Sequence, residues 1–133
     1  MTTPGMTPMH RILLIEDHAA SRRGFAEYLT AEGYAVLEAA NGQAGLTAAS
    51  TWQPDVIVLD LGLPDLDGWS VARELRAAPV TRAVPIIALT GADLPHERAS
   101  ALRAGCDLHL AKPCFPAELL AAIRKLTVER DKT

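Results

Sequence analysis

Three carboxylates, one hydroxyl and one ammonium stand at the ends of short apolar runs in this chain: Glu16 and Asp17 after residues 11–15, Asp60 after 56–59, Thr90 after 84–89, and Lys112 after 108–111. If those runs are parallel strands of one sheet, the five side chains meet at the edge where ligands of open α/β folds bind. Three acids held close together raise one another's pKa and need a compensating cation to stay ionised. The donors are all oxygen, which suits a hard ion, and Mg²⁺ takes one or two carboxylates completed by water and phosphoryl oxygens. With Mg²⁺ and Lys112 neutralising the site, one carboxylate can act as a nucleophile on phosphorus and form an aspartyl phosphate. Asp60 is the candidate, because it follows a wholly apolar strand and precedes Leu61-Gly62-Leu63-Pro64, fixed from behind and open in front.

Positioning these groups requires the alternation that the rest of the chain displays. Five apolar runs lack helical period, at 11–15, 34–37, 56–59, 84–89 and 108–111, and runs apolar on both faces suit a covered parallel sheet. Between and after them lie patterns with apolar residues three and four apart, at 19–32, 42–50, 69–76, 95–104 and 116–129. Gly33 and Gly105 fall just past helix ends, Pro95 and Pro116 in first turns, and Asp67 is placed to cap the helix that starts near Trp69. Five βα units predict an α/β fold with right-handed crossovers and helices on both faces of the sheet. The second run ends in Glu38-Ala39, which offers nothing comparable to the other strand ends and suits an outer strand.

Length and composition narrow the function classes. The 133 residues fit one domain, with 49% hydrophobic and 22% charged content. Thirteen Lys plus Arg against 16 Asp plus Glu give a net charge of −3 with no basic block, which argues against nucleic acid as a direct partner. Two cysteines, Cys106 and Cys114, form neither a disulfide framework nor a zinc-ligand pattern. The first ten residues read as a disordered leader without the apolar stretch of a secretory signal. The apolar stretch 83–92 is far below the ~20 residues that span a bilayer and contains Pro85. The expectation is a cytoplasmic protein that does not enter a membrane.

The ordered set Ile15-Glu16-Asp17, Pro54-Asp55 through Asp60, Leu63-Pro64 through Asp67-Gly68, Pro85 through Thr90, and Ala111-Lys112-Pro113 closely resembles the receiver domain of two-component response regulators. The resemblance covers nearly everything from residue 11 to about 126 and places the receiver at 11–127, with a polar tail at 128–133. It implies a doubly wound, CheY-like five-stranded sheet of order 2-1-3-4-5. It implies that Asp60 accepts a phosphoryl group from a histidine kinase or histidine phosphotransfer protein. Asp17 is then the direct Mg²⁺ ligand, Glu16 the acid behind a metal-bound water, and Gly62 the source of a backbone carbonyl. Thr90 is the switch hydroxyl, Lys112 the partner of the phosphoryl group, and Pro64, Gly68 and Pro113 shape the loops, the Lys112–Pro113 bond being cis. The output face is built from 95–104, 108–111 and 116–129, and it acts on a downstream effector or output domain.

The chain departs from that pattern where receivers carry Tyr or Phe three residues before the lysine, because His109 stands there. Either imidazole protonation tunes the switch or His109 simply packs on its neighbours, and the second reading is preferred. Gly62 and Ala92 are small where receivers often shield the site with larger side chains. Competing functions are a constitutive docking module and a small aspartate-nucleophile phosphatase. The phosphatase wants a second acid two residues after the nucleophile, where this chain has Gly62. His10, His18 and His96 read as surface residues, and Trp52 and Trp69 as partly buried packing.

Overall fold

In the computed structural model, which describes residues 9–91, 99–100 and 103–131, every apolar run is a strand: β1 (Arg11–Ile15), β2 (Ala35–Ala39), β3 (Val56–Asp60), β4 (Ile86–Thr90) and β5 (Leu108–Ala111). All pairings are parallel, in the order β2-β1-β3-β4-β5. Among the described residues, the helices α1 (Ala19–Ala31), α2 (Gly42–Trp52), α3 (Gly68–Ala77) and α4 (Pro116–Asp131) connect or follow the strands. Most of the 95–104 helical pattern lies outside the described residues, as do Ala92, Pro95 and His96.

Alternation along each strand divides the core in two. Ile12, Leu14, Val58 and Leu89 pack with Phe25, Leu29, Leu119 and Ile123 of α1 and α4, whereas Leu13, Ile15, Ile57 and Leu59 pack with Ala49, Val71 and Leu75 of α2 and α3. Residues buried on both faces explain why β1, β3 and β4 read as continuous apolar runs. β2 runs on to Ala39, because it pairs with β1 as far as Ile15. β4 starts at Ile86, after Pro85, which has no N–H to give a ladder. Helix α4 continues to Asp131, so the expected tail from residue 128 begins as helix.

The helix starts follow side-chain capping. Asp67 caps α3 as predicted, its carboxylate accepting from the Ser70 amide at 3.0 Å and the Ser70 hydroxyl at 2.9 Å, and these bonds hold its pKa below the usual carboxylate value. His18 is more than a surface histidine: it caps α1, its Nδ1 accepting from the Ser21 amide at 3.3 Å. Asn41 caps α2 through the Ala44 amide at 2.8 Å.

Gly68 shows how closely α3 approaches the end of β3. A Cβ there would overlap the Leu61 backbone, while one at Gly24, inside α1, would meet nothing within 4 Å. Gly68→Ala is therefore expected to cost about 2–3 kcal/mol by overpacking, and Gly24→Ala to stabilise by about 0.5–1 kcal/mol through helix propensity. Chemical denaturation of both variants checks the contrast; equal midpoints would contradict it.

Candidate functional site

The carboxyl ends of β1, β3, β4 and β5 open into a cleft of about 510 Å³ whose lining includes Glu16, Asp17, Asp60, Gly62 and Lys112. Glu16 and Asp60 are 1% and 3% exposed and Thr90 is 2% exposed, whereas Asp17 stands in the open. Lys112 Nζ lies 3.0 Å from Asp60 Oδ2 and 3.4 Å from Glu16 Oε1. The Gly62 amide donates to Asp60 Oδ1 at 3.0 Å, and the His18 amide to Glu16 Oε2 at 3.2 Å. Both buried acids are thus held by a main-chain donor on one oxygen and by the lysine on the other. The Lys112–Pro113 bond is cis.

Glu16, Asp17 and Asp60 each offer a carboxylate oxygen, and these oxygens lie within 4.8 Å of one another. An all-oxygen set of this size, half buried and with one exposed member, fits a hard divalent cation that keeps several of its waters. Thr90 Oγ1 is buried and has no hydrogen-bond partner among the described residues. A buried hydroxyl in that condition carries a desolvation cost that a ligand oxygen in the cleft would remove. Its backbone is tied to the lysine, with the Lys112 amide donating to Thr90 O at 2.8 Å.

Charge crowding splits the two buried acids. Burial, reinforced by the neighbouring Asp60, pushes the Glu16 carboxyl up to about 7. Burial also opposes ionisation of Asp60, but the bond shared with Glu16, the Gly62 amide and Lys112 outweigh it and hold that carboxyl below its ordinary value. Lys112 is likewise disfavoured by burial, yet the two carboxylates hold its pKa above the ordinary one. At neutral pH the ion-free site keeps Asp60 charged against Lys112.

This arrangement makes stability depend on pH in a defined window. Between the unfolded value of 4.5 and about 7, folded Glu16 retains a proton that the unfolded chain has released, so stability falls as pH rises through that range. Asp60 acts in the opposite sense and only below its unfolded value of 3.8. In chelator, wild type is expected to lose roughly 2–3 kcal/mol more than Glu16→Gln between pH 5 and pH 7.5. Denaturation midpoints across pH check this, and parallel curves for the two proteins would contradict it.

The remaining predicted residues lie partly near this centre and partly at the far end of the sheet. His109 is half-buried on β5 opposite Ala88, which by alternation puts it on the same sheet face as Thr90, one diagonal step away. Pro64 is exposed in the loop after β3, and the Gly68 amide closes that loop onto Leu61 O at 3.3 Å. Trp52 and Trp69 pack partly buried against the core, as expected. Cys106 is buried, its thiol pushed up to about 11 by burial, and Cys114 lies in the cleft wall with its thiol also raised by burial.

Sequence reasoning missed the groups that hold the loops. Asp65 accepts from the Gly42 and Gln43 amides at 2.8 and 3.0 Å, tying the loop after β3 to the start of α2. Glu38, read as contributing nothing comparable at the end of the second strand, binds Arg22 and Arg23 at 3.1 and 3.0 Å. Its only sequence signal is an acid on an edge strand within reach of two arginines in α1. Far from the cleft, Arg76 donates to the carbonyls of Arg82, Val84 and Gly105 and to Asp107, joining α3 to the loops that enter β4 and β5.

A family model described as the response regulator receiver domain matches residues 12–124. The chain belongs to the response regulator receiver domain family. This receiver is 42% identical over 116 residues to the KDP operon transcriptional regulatory protein KdpE of Escherichia coli, covering 87% of this chain and 50% of that protein. It is 38% identical over 117 residues to the response regulator PleD of Caulobacter vibrioides, covering 88% of this chain and 26% of that protein. The chain thus spans half or less of the length of these curated relatives. Among solved structures, a CheY-like receiver from Methanospirillum hungatei superposes with a TM-score of 0.86 at 27% identity, covering 95% of this chain and 100% of that one. The receiver of the sensor histidine kinase PA1611 from Pseudomonas aeruginosa, solved with a magnesium ion coordinated in its active site cleft, gives 0.82 at 38% identity, covering 90% and 98%. Among the described residues, no helix is long and apolar enough to cross a membrane.

Proposed function

We propose that this receiver accepts a phosphoryl group on Asp60 from a phosphohistidine of a histidine kinase or histidine phosphotransfer protein. The observation that carries the reading is Asp60 itself, a buried, ionised carboxylate gripped by Lys112 and the Gly62 amide beside two further acids. In the transfer, an Asp60 oxygen forms a bond to phosphorus as the bond to the donor nitrogen breaks, and the leaving imidazole takes up a proton. Glu16, Asp17 and Asp60, with the Gly62 carbonyl, are the residues that would hold Mg²⁺, which when bound neutralises charge on the phosphoryl oxygens. The magnesium in the PA1611 receiver supports that choice of ion. Apart from the donor's loss of its phosphoryl group, the chemistry alters only the receiver's own covalent state.

The phosphoryl group brings close to two negative charges and three acceptor oxygens into a crowded acidic site. Thr90, whose buried hydroxyl has no hydrogen-bond partner among the described residues, and Lys112 are the groups that respond, and His109 lies on the Thr90 face of the sheet. The change shifts the population of two packings of a face that includes β5 and α4, where a downstream effector or output domain docks. Moving such an equilibrium from 1:99 to 99:1 takes about 5.5 kcal/mol of differential stabilisation, within reach of a few charge-assisted hydrogen bonds. The receiver extends over 11–127 and works in the cytoplasm.

Intact-protein mass after incubation with acetyl phosphate tests the reading. A single phosphoryl adduct that forms with Mg²⁺ and not in chelator is expected. No adduct, with Mg²⁺ binding demonstrated, would favour a constitutive docking module.

A further inference from the structure

The guanidinium of Arg22, on α1, reaches back to the loop that carries two of the three acids. Its Nη1 donates to the carbonyl of Glu16 at 2.9 Å and toward that of Asp17 at 3.4 Å, while its Nε donates to Glu38 Oε1 on β2 at 3.1 Å. The Arg22 side chain is 17% exposed and that of Glu38 23%, so the bonds form in a partly water-excluded position. Glu16 is held through its preceding peptide as well, since its amide donates to the carbonyl of Ala39, the next residue along β2, at 3.0 Å.

The geometry points to Arg22 as a positioning residue for the acidic cluster, aimed by Glu38 and acting through the backbone of Glu16 and Asp17. A carbonyl turned into the cleft would add negative partial charge to a site already holding three carboxylates. Arg22 draws both carbonyls toward α1 and leaves the cleft to the side chains. A planar fork serves two directions at once, one edge on Glu38 and the other on the loop, which a single ammonium does less well. Glu38 in turn is fixed by Arg23 Nη1 at 3.0 Å, so the end of β2 acts as the anchor.

The inference rests on the Mg²⁺ site proposed above, and two readouts separate the claims. The first is Mg²⁺ affinity by titration calorimetry on wild type, Arg22→Ala, Arg22→Lys, Glu38→Ala and Glu38→Gln. Arg22→Ala and Glu38→Ala are expected to weaken binding about three- to tenfold, less than one full charge-assisted hydrogen bond because the effect reaches the ion only through the loop backbone. Arg22→Lys restores less than half of that loss in log units, and Glu38→Gln, which keeps an acceptor for Nε, stays close to wild type. The double Ala variant is no weaker than Arg22→Ala alone, because both act along one path. The second readout needs no metal: amide exchange at residues 16–18 in chelator is expected to quicken about tenfold in Arg22→Ala, with exchange in β3 unchanged. Unchanged Mg²⁺ affinity in Arg22→Ala, even alongside a lowered melting temperature, overturns the inference. If wild type binds no Mg²⁺, the metal site itself is wrong, and unchanged exchange at 16–18 then overturns the positioning claim as well.

Discussion

Asp60→Asn is expected to form no phosphoryl adduct with acetyl phosphate under conditions that load wild type, a fall of at least ~100-fold in rate, since an uncharged amide offers no nucleophilic carboxylate. The substitution is nearly isosteric, and the side-chain oxygen that accepts the Gly62 amide is kept, so the loop after β3 retains its main restraint. Loss of function with an intact fold is therefore the expected pair of results, read by intact mass and by denaturation midpoint. Residual adduct at more than a few per cent would mean that Glu16 or Asp17 substitutes as acceptor. Full labelling would remove Asp60 from the chemistry.

Replacing Lys112 by Met is expected to slow adduct formation about 10- to 100-fold, because the ammonium lies 3.0 Å from Asp60 and 3.4 Å from Glu16 and so serves both buried acids. A hydrogen bond to a charged group contributes about 1.5–3 kcal/mol, and each 1.4 kcal/mol is tenfold in rate. The same change raises the proton affinity of the pair, since the lysine is among the causes that hold Asp60 low and its charge also lowers Glu16. The pH at which adduct formation reaches half its maximum is therefore expected to rise in Lys112→Met. A variant that is slow at neutral pH and recovers part of its rate at alkaline pH supports this account. An unchanged rate across pH would show that Lys112 leaves the reaction untouched.

The sheet was legible because burial on both faces leaves no polar residue in β1 after Arg11 or in β4 before Thr90, and interrupts β3 only at its tip, Asp60. Position at a strand's carboxyl end then marked the three acids and the lysine that line the cleft, and the buried Thr90 hydroxyl at the end of β4. Arg22, Glu38 and Asp65 were not legible, since their role lies in side-chain bonds to atoms 5–23 residues away. Such bonds depend on how α1, β2 and the loop after β3 are placed, and no local pattern encodes that placement. Arg76 is the same case at the other end of the sheet, where one guanidinium satisfies three carbonyls that only the folded chain brings together. His18 escaped notice for a chemical reason, because capping is usually sought in Ser, Thr, Asp or Asn, and here an imidazole nitrogen accepts the Ser21 amide instead.

The central claim is that the phosphoryl group resides on the Asp60 carboxylate. An acyl phosphate is reduced by borohydride to the alcohol, which converts the modified aspartate to homoserine and marks its position permanently. Peptide mapping after treatment with acetyl phosphate, Mg²⁺ and borohydride is predicted to find homoserine at position 60 and nowhere else. Reduction at position 16 or 17, or a phosphoryl adduct that survives borohydride on a hydroxyl or an imidazole, would contradict the account.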